Sequence, residues 1–141
     1  MNRLKSSNII TALASIAILQ GCGLFSPVSY YDPTTHRNLI ELKVYTMFLY
    51  ESFMDDSVDY AEIKNIRFKL AFAYEYEKGK GEANAETAEL INKIQEMFQR
   101  HLDERLKDGV WNKANYENKL ENIKEAFDTA ISAELLKNQP K

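Results

Sequence analysis

The sequence predicts an all-α protein: an up-down-up-down four-helix bundle that follows an N-terminal leader and a short tether. Three observations lead there. Glycine and proline are rare, 5 and 3 in 141 residues, and they sit outside the periodic segments, which favours helices over strands. Apolar residues in the third and fourth segments recur with the 3.6-residue period of a helix that buries one side. Capping residues divide the chain after residue 33 into four lengths of about 20–25 residues, and their short connections imply antiparallel neighbours.

The first helix starts at Asp32-Pro33, a capping carboxylate followed by a proline whose fixed φ suits the first helical position. It runs to about Met54, where Asp55, Asp56 and Ser57 interrupt it. The second begins near Ser57 to Asp59, with Asp59 and Glu62 at capping-box spacing, and ends at Lys78-Gly79. Lysines there face the negative end of the helix dipole, and glycine can take the left-handed cap. Asn84, followed by Glu86 and Glu89, opens a third helix that stops at Asp108-Gly109. The fourth runs from about Asn112 to Lys137, with Pro140 beyond it. The division is residues 1–21 as leader, 22–33 as tether and 34–138 as the helical domain. The tether contains Ser26, Pro27, Ser29 and Pro33 and spans at most ~36–40 Å. Its Tyr30 and Tyr31 suit either docking on the domain or resting at a lipid interface.

The faces of the four helices differ. The third has one stripe, Leu90, Ile91, Ile94, Met97, Phe98 and Leu102. The fourth has another, Tyr116, Leu120, Ile123, Phe127, Ala130 and Ile131. Both are ordinary core-facing patterns. The second helix places Ile63, Ile66, Leu70, Ala73 and Tyr74 on one side and Phe68, Phe72 and Tyr76 on the other. In the first, Leu39, Leu42, Leu49 and Phe53 share a face, while Ile40, Val44, Tyr45, Met47 and Phe48 spread around the remainder. Burying a Phe stabilises by ~1.5–3 kcal/mol, so the Phe68-Phe72-Tyr76 stripe needs a cover. Two covers are open: the tether or a helix bend hides it, or it is a contact surface for a second copy or another protein. Phe48, Phe68, Phe72 and Tyr76 are the candidate contact residues.

The N-terminal segment carries the most specific pattern in the chain. Arg3 and Lys5 precede an apolar run from Ile9 to Leu19, and Leu19-Gln20-Gly21-Cys22 closes it with the only cysteine. As a helix the run reaches roughly 17 Å, short of the ~30 Å hydrocarbon core, so it reads as a signal-peptide core rather than a permanent span. The segment resembles the bacterial lipoprotein signal, with Gln20 larger than the residue that pattern usually has there. The resemblance implies that Leu19 and Gly21 are read by the signal peptidase. Cys22 then becomes the lipid-bearing N-terminus, acylated with chains such as palmitate. Acyl chains contribute ~0.8 kcal/mol per buried CH₂, and more than one chain holds stably. Gly23 is not the Asp that retains such proteins at the inner membrane, so the resemblance implies the outer membrane of a two-membrane envelope, with the domain in the periplasm. Tyr31-Asp32-Pro33-Thr34-Thr35 and Tyr76-Glu77-Lys78-Gly79-Lys80-Gly81 are also similar to helical envelope lipoproteins, a likeness that brings no activity with it.

Composition narrows the function classes. Removing residues 1–21 removes Arg3 and Lys5 and no acidic residue, so the net charge moves from −3 to −5. A mildly acidic domain argues against nucleic acid and against a polybasic hold on anionic lipid. With Cys22 lipidated no disulfide can form, so stability comes from packing.

Candidate chemistry is sparse. His101 falls in the third helix's apolar stripe, yet Phe98 stands three residues before it, where a Glu-x-x-His bundle metal site needs glutamate. The other histidine, His36, lies in the first turn of the first helix. His101 reads as a core-edge histidine paired with a carboxylate. Haem held by His101 with Met47 or Met97 is the cofactor alternative, and no cofactor is assigned. Glu75, Glu77, Glu86 and Glu89 read as solvated faces and dipole partners. Gly79-Lys80-Gly81 lacks the P-loop spacing. Trp111 reads as packing at the bundle end. Leu70-Ala71-Phe72-Ala73-Tyr74, the Gly79-Lys80-Gly81 loop and Asn84-Ala85-Glu86-Thr87-Ala88 together resemble one Sel1-type helical repeat over about a quarter of the chain, although a solenoid needs several copies. The expectation is a lipid-anchored envelope protein that acts through protein contact, not catalysis. The alternatives are a ligand- or haem-binding bundle and a Sel1-like adaptor.

Overall fold

The computed structural model describes residues 28–138. The expected leader, with Leu19 and Gly21, and the first part of the tether, 22–27, with Cys22, lie outside the described residues. Four helices follow: α1 (Pro33–Ser52), α2 (Tyr60–Gly79), α3 (Ala85–Asp108) and α4 (Lys113–Leu135). Each packs against its neighbours in sequence, and α1 against α4 closes the ring. This is the all-α four-helix bundle that the pattern predicts.

The starts of three helices follow the capping chemistry. Asp32 Oδ1 accepts from the Thr34 N–H at 2.7 Å, with Pro33 opening α1. Asp59 Oδ1 accepts from the Glu62 N–H at 2.9 Å, and Asn112 Oδ1 from the Asn115 N–H at 2.9 Å. Each satisfies one backbone donor that the first turn leaves without a partner. Asn84 departs from this. It precedes α3 at the end of a 3₁₀ turn (Glu82–Asn84), but its side chain makes no cap. The left-handed position also moves: Gly79 stays within α2, Lys80 follows in right-handed geometry, and Gly81 takes φ +85°. A side chain at Gly81 would be strained by that backbone even though the space around it is open.

The core is continuous from end to end. Leu39, Leu42 and Leu49 of α1 meet Ile63, Ile66 and Leu70 of α2. Ile91, Ile94, Phe98 and Leu102 of α3 and Ile123, Phe127 and Ala130 of α4 complete it. Every one of these lies on the inward phase of its helix, so the hydrophobic periodicity alone accounts for the packing.

Candidate functional site

The outer surface of the bundle is uneven. On α2, Phe68 and Phe72 are 69% and 55% exposed, and the Phe72 and Tyr76 rings stack at 6.3 Å between centroids. On α1, the residues exposed after Pro33 are Arg37, Ile40, Val44, Tyr45, Phe48 and Glu51. Phe68 and Phe72 border a shallow groove between the two helices, walled by Asn38, Glu41, Leu42 and Lys69. The Lys69 ammonium pairs with Glu41 and lies 4.8 Å over the Tyr45 ring. Phe48 borders a different groove, with Val44, Met47 and Glu51 of its own helix and Tyr116 of α4. The structure thus brings Phe68, Phe72 and Tyr76 into one stripe and sets Phe48 on the parallel stripe of the neighbouring helix. By contrast α4 turns Asn115, Glu117, Asn118, Glu121 and Asn122 outward.

Among the described residues no cover lies on Phe68 or Phe72. The described part of the tether, residues 28–32, docks elsewhere. The Tyr31 N–H donates to the Asn138 carbonyl at 2.8 Å and the Asn138 N–H to the Ser29 carbonyl at 3.2 Å, a parallel bridge between the two ends of the domain. The Tyr31 hydroxyl meets His36 Nδ1 at 3.2 Å, while Tyr30 remains exposed. Only Tyr76 is engaged from this side, its hydroxyl donating to Asp32 Oδ2 at 2.8 Å. That bond to an anion raises the Tyr76 phenol above its usual range.

Beneath the docked tether is a buried ionic cluster. Glu77 and Glu134 are both fully buried. Glu77 Oε1 accepts from Thr35 and from Lys80 Nζ at 2.7 Å. Glu134 Oε1 accepts from the Asp32 N–H at 2.7 Å, and its other oxygen lies 2.5 Å from Lys137 Nζ. Lys80 Nζ also reaches Asp32 Oδ2 at 2.6 Å. Asn84 Oδ1 accepts from Ser29 and from Lys137, at 3.0 and 2.8 Å. These bonds explain why Asn84 does not cap α3. Burial works to raise the Asp32 pKa, but Lys80, the Tyr76 hydroxyl and the Thr34 N–H outweigh it and hold the carboxyl well below its usual range. Glu77 corrects the sequence reading, which placed it on a solvated face. It follows Leu70 and Ala73 on the inward phase, and the ammonium and hydroxyl beside it make burial tolerable.

The opposite end is aromatic. Tyr50, Phe53 and Phe98 pack with Trp111, whose ring meets Tyr50 and Phe53 edge-on at 5.1 and 4.9 Å. His101 is buried here, its Nδ1 3.0 Å from the Tyr50 hydroxyl. The partner is thus a phenol, not the carboxylate that the sequence suggests. Burial, with Lys119 adding to it, pushes the imidazole pKa down to about 4. Burial likewise pushes the Tyr50 phenol far up. Neutral imidazole and neutral phenol share one hydrogen bond, which links the diagonal helices α1 and α3 across the core. Arg105 completes this end, donating from Nε to the Phe53 carbonyl at 3.0 Å and from a terminal nitrogen to the Asp55 carbonyl at 2.7 Å.

Among the described residues no three His, Cys, Asp or Glu side chains are grouped to hold a metal ion, and no helix is long and apolar enough to cross a membrane. Comparison with protein-family models, with curated proteins and with solved structures returned no match. The sequence pattern found the α2 stripe and Phe48. It did not single out Arg37 and Glu51, because a charge on a helix carries no signal until its neighbours are known to be exposed.

Proposed function

We propose that this is a lipid-anchored cell-envelope protein that works by protein contact rather than by catalysis. Its anchor is Cys22, its address the outer membrane, and its domain stands in the periplasm. The observation that carries the contact reading is the α1/α2 surface: Phe48, Phe68 and Phe72 are each more than half exposed, on two parallel stripes with no described residue over them. Patches of this kind mark interaction sites on soluble proteins. The anchor reading is supported by the basic start, the apolar run and the Leu19-Gln20-Gly21-Cys22 close. The described part of the tether, residues 28–32, binds at the ionic end and covers neither Phe68 nor Phe72.

The test is crosslinking in intact cells, followed by purification of the full chain. Wild type should yield crosslinked protein species, and Phe68→Ser with Phe72→Ser should abolish them. The variant should keep its helical circular dichroism, since exposed substitutions usually change stability by only about 0.5 kcal/mol. A wild-type chain without adducts contradicts the contact reading. Fatty-acid labelling that is equal in wild type and Cys22→Ser contradicts the anchor reading separately.

A further inference from the structure

Five of the six exposed residues of α1 after Pro33 are spaced symmetrically; the sixth, Tyr45, leans towards α2, where Lys69 lies over its ring. Arg37, Ile40, Val44, Phe48 and Glu51 follow at intervals of three, four, four and three, centred on Val44. A cation stands at one end of this stripe, an anion at the other, and apolar side chains between them. Arg37 and Glu51 are exposed and make no ion pair among the described residues. Such a stripe is complementary to itself when reversed. Laid antiparallel on a copy, Val44 meets Val44, Ile40 meets Phe48, and each Arg37 meets a Glu51. Laid parallel, like charges would meet, which is unfavourable.

We propose that the α1/α2 face is a self-association surface, and that its occupant is a second copy of this chain with α1 antiparallel to α1 across a two-fold axis at Val44. The proposal rests on the reading of this face as a contact surface and names the partner. The second helix fits the same axis. The contacts Thr35–Glu77, Glu41–Lys69 and Tyr45–Lys69 set the register of α2 against α1. In that register Phe68 lies level with Val44, so the axis that pairs Val44 with its copy also pairs Phe68 with its own. A two-fold interface of this type uses one patch twice and closes at the dimer.

The size is adequate. The exposed parts of Ile40, Val44, Tyr45, Phe48, Phe68 and Phe72 amount to roughly 600–700 Å², given side-chain areas of 150–250 Å² for the aromatics. That exceeds the patch of an ordinary monomer and approaches the ~800 Å² that each partner gives to a standard interface. Arg37 and Glu51 at the two ends supply the polar rim.

A charge swap tests this on the full chain in non-ionic detergent, by sedimentation velocity across a concentration series. Wild type should dimerise. Arg37→Glu alone and Glu51→Arg alone each place like charges together at two symmetric points and should raise the dimer dissociation constant about tenfold. The double variant Arg37→Glu/Glu51→Arg restores both pairs and should return to within about threefold of wild type. Both reversals agree with the helix dipole, so folding is not threatened, and circular dichroism checks it. A dimer indifferent to the single reversals, or not rescued by the double, overturns the proposed pairing. A wild-type chain that is monomeric to about 100 µM overturns self-association. Adducts to a different protein in the cell-based crosslinking would then leave the contact reading standing, and their absence would remove it too.

Discussion

The two ends of the bundle are closed by opposite chemistry. At the tether end, Asp32, Glu77, Glu134, Lys80 and Lys137 form a buried ionic cluster in which each described tether bond adds one more polar tie. At the far end, Tyr50, Phe53, Phe98 and Trp111 form an aromatic plug with His101 held neutral beside it. Buried ion pairs specify a geometry but add little net stability, because desolvation offsets the attraction. Aromatic packing contributes stability directly. The tether end is therefore built for a defined exit of the chain, and the far end for holding the helices together.

The largest effects should come from breaking each end in turn. Phe53→Ala, at a fully buried position, should lower the unfolding free energy by about 3–5 kcal/mol in urea titration. Glu77→Ala removes the acceptor that serves Thr35 and Lys80 and should cost about 3 kcal/mol. The two changes lie at opposite ends and share no partner, so the double variant should show the sum to within about 0.5 kcal/mol. A clear shortfall would mean that the ends are coupled and the comparison too simple.

Acid should separate the ends by pH. His101 has a folded pKa of about 4 against an ordinary 6.5. The unfolded chain thus binds the extra proton first, and stability falls as the pH drops from 6.5 towards 4, by about 2–3 kcal/mol in all. Asp32 behaves differently. Its carboxyl is held below the usual 3.8, so its contribution is intact above that pH and is lost only as the pH falls further. Urea titrations between pH 7 and 4.5, read by the fluorescence of Trp111, should show the loss, and His101→Gln should abolish most of that slope. A stability that is flat over this range in wild type would contradict the buried neutral imidazole.

Most of the fold was legible because local chemistry and global packing agree. Asp32, Asp59 and Asn112 cap where their residue types and positions indicate, and the stripes of α3 and α4 face inward as their periodicity requires. Legibility ended where distant residues decide. Glu77 has the residue type of a solvated face, and its burial depends on Lys80 together with Thr35, 42 positions away. Asn84 has the residue type of a cap, but Ser29 and Lys137 take its side chain. His101 finds a phenol 51 residues distant that no local pattern announces. The α2 stripe was readable because apolar residues on two sides of one helix break the amphipathic rule in sequence itself. Tyr76 belongs to that stripe by phase but to Asp32 by hydrogen bond.

Both ends turn their defining groups inward, and the outer side of α4 is polar from Asn115 to Asn122. Apolar area is left facing outward chiefly on α1 and α2, and the functional account depends on that surface. The most direct test places a photocrosslinking amino acid at Phe68 in one full-length variant and at Asn122, on the outer side of α4, in another, and irradiates intact cells. Adducts from position 68 with none from position 122 are the expected result. Adducts from both in equal measure, or from neither, would contradict the claim that this face is where the protein works.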